Sequence, residues 1–240
     1  MRPFIHFILI SITIVIFSGC GDDAVEQPII ETGTVTDVQG HVYQTVKIGN
    51  QWWMAENLNV TAYRTGEEIQ RIDDKSQWQS TTMPAYGIYN NLSGPGLLYN
   101  FHVLTSGKEI APEGWHVSTD DDWKILEEYT GMPSGELDHN NWRGTNEGDQ
   151  LKEKNTNTSG WVLYEGIWGT NETGFSATGG SCRVFNGEWG IQGLRHSGFW
   201  WCATANDGYG YFRYLDYKKS GIFRYAAHPN YGFSIRCVKN

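Results

Sequence analysis

Short aromatic runs cut by glycine fill most of this 240-residue chain, and they limit what it can fold into. Each run is too short for a helix of several turns, and each glycine lets the backbone reverse. Tyr43-Gln44-Thr45-Val46-Lys47-Ile48, then Gly49-Asn50, then Gln51-Trp52-Trp53-Met54 reads as a hairpin, two β-prone runs joined by a turn that tolerates positive φ. Beyond Trp161 the pattern resumes and closes on Tyr231-Gly232-Phe233-Ser234-Ile235-Arg236-Cys237-Val238. With 29 Gly, 11 Trp, 13 Tyr and 10 Phe against 19% charged residues, the core and clefts of a turn-rich, largely β protein would be built from rings.

Two segments depart from that pattern. Ser118 with Asp121 three residues on predicts a capping box, Asp120 to Asp122 suit the positive end of a helix, and Gly131 and Pro133 stop it. Trp123, Leu126 and Tyr129 or Thr130 fall on one side, which would pack inward. A second helix is predicted over Glu147 to Lys154, and Thr81 to Asn100 reads as a loop.

The start of the chain says where such a domain would work. Arg2 precedes an apolar stretch from Phe4 to Phe17, and Phe17-Ser18-Gly19-Cys20 follows the pattern at which a bacterial lipoprotein is cut and lipidated. Fourteen residues are too few to span a bilayer, which takes roughly 20, so residues 1–19 read as a lipoprotein signal peptide and Cys20 as the lipid attachment site. Acyl chains on Cys20 would anchor the protein stably without spanning the membrane. Residues 20–33 then form a lipidated tether and residues 34–240 one domain without an internal linker. Gly21 after the cysteine argues against inner-membrane retention, and Gly21-Asp22-Asp23 resembles the acidic tags of Bacteroidetes surface lipoproteins. The expected location is the outer membrane, lipid-anchored, facing the cell surface.

Charge and motifs narrow the function. Without residues 1–19 the chain carries 17 basic and 27 acidic residues, a net charge of -10. No cluster of Lys and Arg offers a phosphate-binding surface, so nucleic acid is not an expected partner. There is no Gly-x-Ser-x-Gly elbow, His-Glu-x-x-His, Cys-x-x-Cys or phosphate loop, and no enzyme is expected. Asp120, Asp121, Asp122, Glu127 and Glu128 read as capping or solvated carboxylates, and His102 and His116 as packing or hydrogen-bonding groups. No metal ligands or cofactors are predicted, although the Asn/Asp-rich loops from Asp138 to Asn157 leave structural calcium open.

Several ordered stretches resemble the Fibrobacter succinogenes major paralogous domain. They are Val46 to Asn59, Leu98-Tyr99-Asn100-Phe101, Gly114-Trp115-His116-Val117, Trp123, Leu151-Lys152-Glu153, Thr170 to Phe175, Gly198-Phe199-Trp200-Trp201 and Gly232 to Val238. The resemblance implies an α+β, C-type lectin-like fold, related to that of formylglycine-generating enzymes: two helices packed on small antiparallel sheets, with long Gly- and aromatic-rich loops on one side. The cysteine pair that such enzymes use is missing. Calcium-dependent sugar binding of the lectin kind is not indicated either, since His228-Pro229-Asn230 only faintly echoes the tripeptide it needs.

With Cys20 lipidated, Cys182, Cys202 and Cys237 remain in an oxidising compartment. Cys182 and Cys202 flank a Gly-rich region and are expected to form a disulfide, closing a loop of about 20 residues for roughly 3 kcal/mol; pairings with Cys237 stay open. Trp168, Trp189, Trp200, Trp201, Tyr209, Tyr211, Tyr214 and Tyr217 gather where the loop face would form. Trp168, Trp189, Trp201, Tyr209 and Tyr211 are the candidate ligand contacts, because rings stack on sugars while nearby Asn, Asp and Arg hydrogen-bond hydroxyls. Two functions follow: a non-catalytic extracellular module binding glycans, or a structural or protein-binding, adhesin-like component of a surface assembly.

Overall fold

The computed structural model describes residues 30–89, 96–155, 160–166, 169–190 and 193–240. Cys20 and Trp168 lie outside the described residues. With elements numbered in chain order, β1 (Thr32–Thr36), β2 (Val42–Ile48), β3 (Gln51–Met54), β7 (Trp115–Val117) and β12 (Cys237–Lys239) form a five-stranded sheet in the order β1-β2-β3-β12-β7. A four-stranded sheet runs β8-β11-β10-β9, from β8 (Asn141–Arg143), β9 (Ser197–Asn206), β10 (Tyr209–Asp216) and β11 (Ile222–Ala227). The short strands β4 (Gln70–Arg71), β5 (Ala85–Gly87) and β6 (Leu98–Tyr99) make a third sheet, and the helices are α1 (Lys75–Ser80), α2 (His102–Thr105), α3 (Asp120–Tyr129) and α4 (Glu147–Leu151).

The expected α+β, C-type lectin-like arrangement of two helices on small sheets is therefore corrected. Twelve strands in three sheets dominate the described residues, and the longest helix has only ten residues. Glycines at short intervals leave only the segment around α3 with both a cap and a helical period; elsewhere ring-rich runs pair as strands. Composition pointed to this outcome better than the family resemblance did.

The hairpin forms with β2 and β3 joined at Ile48↔Gln51 and Gly49 at φ 58 in the turn. α3 starts one residue later than the sequence suggests. Its N-cap is Thr119, whose side chain accepts from the Asp122 backbone N–H while the Asp122 carboxylate reaches back to the Thr119 N–H. Ser118 is buried instead, its Oγ accepting from Trp123 Nε1 at 3.0 Å. Trp123 and Leu126 turn inward as expected, with Thr130 rather than Tyr129 completing the buried stripe. α4 covers the first five residues of the predicted second helix.

Away from the exposed edge strand β1, the five-stranded sheet is packed on both faces, and neighbouring residues serve different cores. Tyr43, Met54 and Cys237 join a cluster with Leu58, Tyr99 and Trp115. Val46, Ile48, Trp53 and Val238 join Trp123, Leu126, Phe175 and Trp200 on the other side. Trp53, Trp123 and Phe175 meet edge-on with centroids 5.3 to 5.4 Å apart, a preferred aromatic arrangement.

The four-stranded sheet has two unlike faces. Trp142, Phe199, Trp201, Phe212, Tyr214, Phe223 and Tyr225 share one face, a position-by-position alternation across four strands. Arg143, Arg213 and Arg224 share the other, with Cys202 and the acidic side of α3. That alternation also corrects the expected Cys182–Cys202 disulfide. Cys182, Cys202 and Cys237 are all free and buried. Cys182 packs in the cluster of Trp201 and Phe233, whereas Cys202, one residue further along β9, faces the cluster of Trp123 and Trp200. Burial raises both thiols to about 12, so neither is a ready nucleophile.

Candidate ligand-binding site

The predicted ring contacts separate once placed in the fold. Trp201 is fully buried, its Nε1 donating to the Tyr99 carbonyl at 2.8 Å, and Trp200 is equally buried with Nε1 donating to Asn57 Oδ1. Both are core, which removes Trp201 from the candidate contacts. Trp189 is half-buried and closes over Arg183, whose guanidinium lies 4.9 Å from its ring and 4.2 Å from that of Trp78. Four backbone carbonyls hold Arg183 in place, so Trp189 belongs to a structural clamp.

Tyr209 and Tyr211 do come together, at the tip of the β9–β10 hairpin. Asp207-Gly208 makes the turn with φ of 49 and 84, the two positive values that a two-residue type I′ hairpin requires. The register then shifts between Gly210 and Phe212. Gly210 passes so close to Phe101 that a Cβ would lie 2.4 Å from its ring, while regular pairing with β11, Tyr211 opposite Ala226, sets Tyr211 on the arginine face beside Arg224. Tyr209, Tyr211 and Tyr225, with Asn140, Asn206 and Ala226, line a cleft of about 250 Å³. Tyr209 and Tyr225 are 48% and 47% exposed, while the Arg224 guanidinium sits 4.1 Å from the centre of the Tyr211 ring. One face of Tyr211 is thus backed by a cation, leaving the other for the cleft.

What lies behind that cleft makes it rigid. Arg224 chelates Asp120 through Nε and Nη2 at 2.9 and 2.8 Å and also donates to Asn140 Oδ1 and the Asp138 carbonyl. Arg213 bridges Asp120 and Glu127 at 2.7 and 2.6 Å, and Arg143 grips Glu127 with two hydrogen bonds. Asp120 and Glu127, seven residues apart, lie on the inward side of α3, which overturns their reading as solvated carboxylates. Burial alone would raise the Asp120 carboxyl, yet the hydrogen bonds and charges of Arg224 and Arg213 hold it well below the usual range. Asp122, by contrast, does cap the helix, and it also meets His116 Nε2 at 3.0 Å. His102 meets Asn230 Oδ1 at 3.0 Å, a hydrogen-bonding role as anticipated.

A larger cleft, about 540 Å³, lies elsewhere, lined by His41, Tyr43, Glu56, Asn57, Glu153 and Ser176 among others. Its floor is a knot that joins the stretches on which the family resemblance rests. Arg236 donates to Asn57 Oδ1 and to the carbonyls of Met54, Phe175 and Ser176, while Asp37 accepts from Tyr43 and His41. Many of its polar groups are already engaged in holding the fold, and it lacks the grouped rings of the tyrosine cleft. Among the described residues no group of three or more His, Cys, Asp or Glu could hold a metal ion; in the Asp138–Asn157 stretch, Asp138 pairs with Lys124 and Asp149 with Lys152. No described helix is long and apolar enough to cross a membrane.

Sequence reasoning missed Tyr225, Asn140 and Asn206. The strand Ile222-Phe223-Arg224-Tyr225 carries the signal for Tyr225, rings alternating with a cation at period two. The asparagines carry none, because turn-rich sequences are full of them.

A β-rich module with a ring core and a rigidly backed tyrosine cleft is the class that fold and site define. The family model of the Fibrobacter succinogenes major domain matches residues 46–239, and the chain belongs to that family. No curated protein and no solved structure matches it.

Proposed function

We propose that this protein is a non-catalytic binding module of the bacterial cell envelope, anchored to the outer membrane through Cys20 and taking glycans in the cleft of Tyr209, Tyr211 and Tyr225. The observation that carries the reading is the cleft's make-up: Tyr209 and Tyr211 beside Asn140 and Asn206, with Tyr225 and Ala226 of β11 closing its side. Rings supply apolar area for the CH faces of a sugar, and amides supply both donors and acceptors for its hydroxyls. The Asp120–Arg224 pair fixes Tyr211 before any ligand arrives, which lowers the ordering cost of binding.

A thermal-shift screen of the full-length chain against neutral and charged glycans tests the binding role. Ligand at one hundred times its Kd stabilises the native state by about 2.7 kcal/mol. The expected result is a glycan-specific rise in Tm that Tyr209→Ala abolishes; an equal rise in that variant sinks the site. Cys20→Ala tests the anchor, and is expected to move the protein from the detergent phase to the aqueous phase.

A further inference from the structure

The tyrosine cleft does not treat donors and acceptors alike, and the bias comes from Arg224. In the register of β10 with β11, Tyr211 lies opposite Ala226 and Arg213 opposite Arg224, while Asn206 pairs with Tyr209 across the β9–β10 hairpin. Tyr209, Tyr211, Asn206 and Ala226 therefore stand on the arginine face, and Tyr225 only closes the side of the cleft. Asn140 reaches the same face from just outside β8. Asn141, the first residue of that strand, has φ 72, so the alternation stops there and Asn140 meets Arg224 instead of continuing the row of Trp142.

A guanidinium has only donors, so the Asn140 side chain can meet Arg224 Nη1 at 3.0 Å only through its Oδ1. Its Nδ2 makes no hydrogen bond among the described residues, and Asn140 lines the cleft. This wall thus presents a donor, the acceptor being committed to Arg224. Ala226 adds a small apolar surface to the same cleft. Arg224 holds no charge in reserve for an anion, because it already chelates Asp120 through Nε and Nη2, and the formal net charge of -9 opposes anions at long range.

We propose that Asn140 is the specificity-determining residue of this cleft and that the ligand is an N-acetylated sugar, its amide carbonyl accepting from Asn140 Nδ2 and its methyl packing against Ala226 and the Tyr211 ring. This rests on the glycan reading of the cleft and adds the sugar's substituent to it. A sugar hydroxyl can also accept, but it must then place its own proton elsewhere. An amide carbonyl has no proton to place, and its methyl gains apolar contact that a hydroxyl cannot. The volume of about 250 Å³ lies below the roughly 300–1,000 Å³ of drug-sized pockets, which suits a single sugar unit.

The test is calorimetric titration of the full-length chain with N-acetylglucosamine and N-acetylgalactosamine, beside glucose, galactose and their uronic acids. Expected is a preference of about tenfold or more for an acetylated sugar over its parent, the scale of one hydrogen bond whose loss leaves a polar group unpaired. Asn140→Asp keeps an oxygen for Arg224 but replaces the donor by an acceptor, and is expected to remove most of that preference while the Tm of the free protein holds. Ala226→Val, which fills the space assigned to the methyl, is expected to cut the preference independently. Equal affinity for acetylated and parent sugars, a preference that survives both variants, or tighter binding of a uronic acid overturns the proposal and leaves the glycan reading standing. No binding by any of the six overturns both.

Discussion

The two faces of the four-stranded sheet answer the same problem differently. Behind the sheet, Arg143, Arg213 and Arg224 with Asp120 and Glu127 form a buried network in which every charge depends on its neighbours. In front, rings touch rings, and losing one leaves no buried charge without a partner. The contrast teaches that one strand can carry an interdependent charged interior and a separate ring face at once, because alternation isolates them. Trp201 and Cys202 are adjacent in sequence, yet each is fully buried in a different cluster.

The strongest way to break the comparison is Glu127→Ala, which removes the acidic partner of Arg143 and leaves Arg213 with Asp120 alone. A loss of about 3–5 kcal/mol is expected in urea denaturation, the usual scale for an uncompensated buried charge. A loss below about 1 kcal/mol would mean that water or rearrangement compensates. On the ring side, Phe199→Ala should cost about 2 kcal/mol, less than a fully buried ring because Phe199 is half-buried against Tyr214 and Phe233. A cost matching Glu127→Ala would make the ring face as cooperative as the charged one.

Acid sharpens the contrast. The folded-state Asp120 carboxyl sits below its ordinary value near 4, so the stability it contributes is present above about pH 4 and drains away as pH falls below it. The urea midpoint is expected to drop progressively as pH falls below about 4, and Asp120→Asn should flatten that dependence while lowering the midpoint at neutral pH. The smallest effect belongs to Tyr209→Ala. Nearly half-exposed at the hairpin tip, Tyr209 should change stability by no more than about 0.5 kcal/mol. Greater destabilisation would show that the cleft wall supports the fold.

What the sequence discloses depends on how local the cause is. The β2–β3 hairpin and α3 were legible because turn, period and cap lie within a few residues, and even there the cap fell on Thr119 rather than Ser118. The two-helix architecture was not, since it was inferred from resemblance while the glycine and ring pattern argued for strands. The site was half legible. Tyr209 and Tyr211 lie next to an Asp-Gly turn, but Tyr225 joins them only through the pairing of β10 with β11. Trp201 and Trp189 look like Tyr209 in sequence, and only packing separates a core ring and a clamp ring from an exposed one. The buried roles of Asp120 and Glu127 were hidden because their arginine partners are 16 to 104 positions away.

The placement of β12 bears on how the molecule comes together in time. Residues 237–239 form neither an edge nor an appendage; they lie between β3 and β7, and Arg236 just ahead of them reaches Asn57 across 179 positions. Until that strand arrives, β3 and β7 have no common neighbour and both clusters flanking the sheet stand open. Emerging chain can therefore close its hairpins early but cannot seal its interior until its final stretch has been delivered. Closure over so long a separation is slow. On the proposed export to the cell envelope, such a delay would keep the domain loose enough to thread.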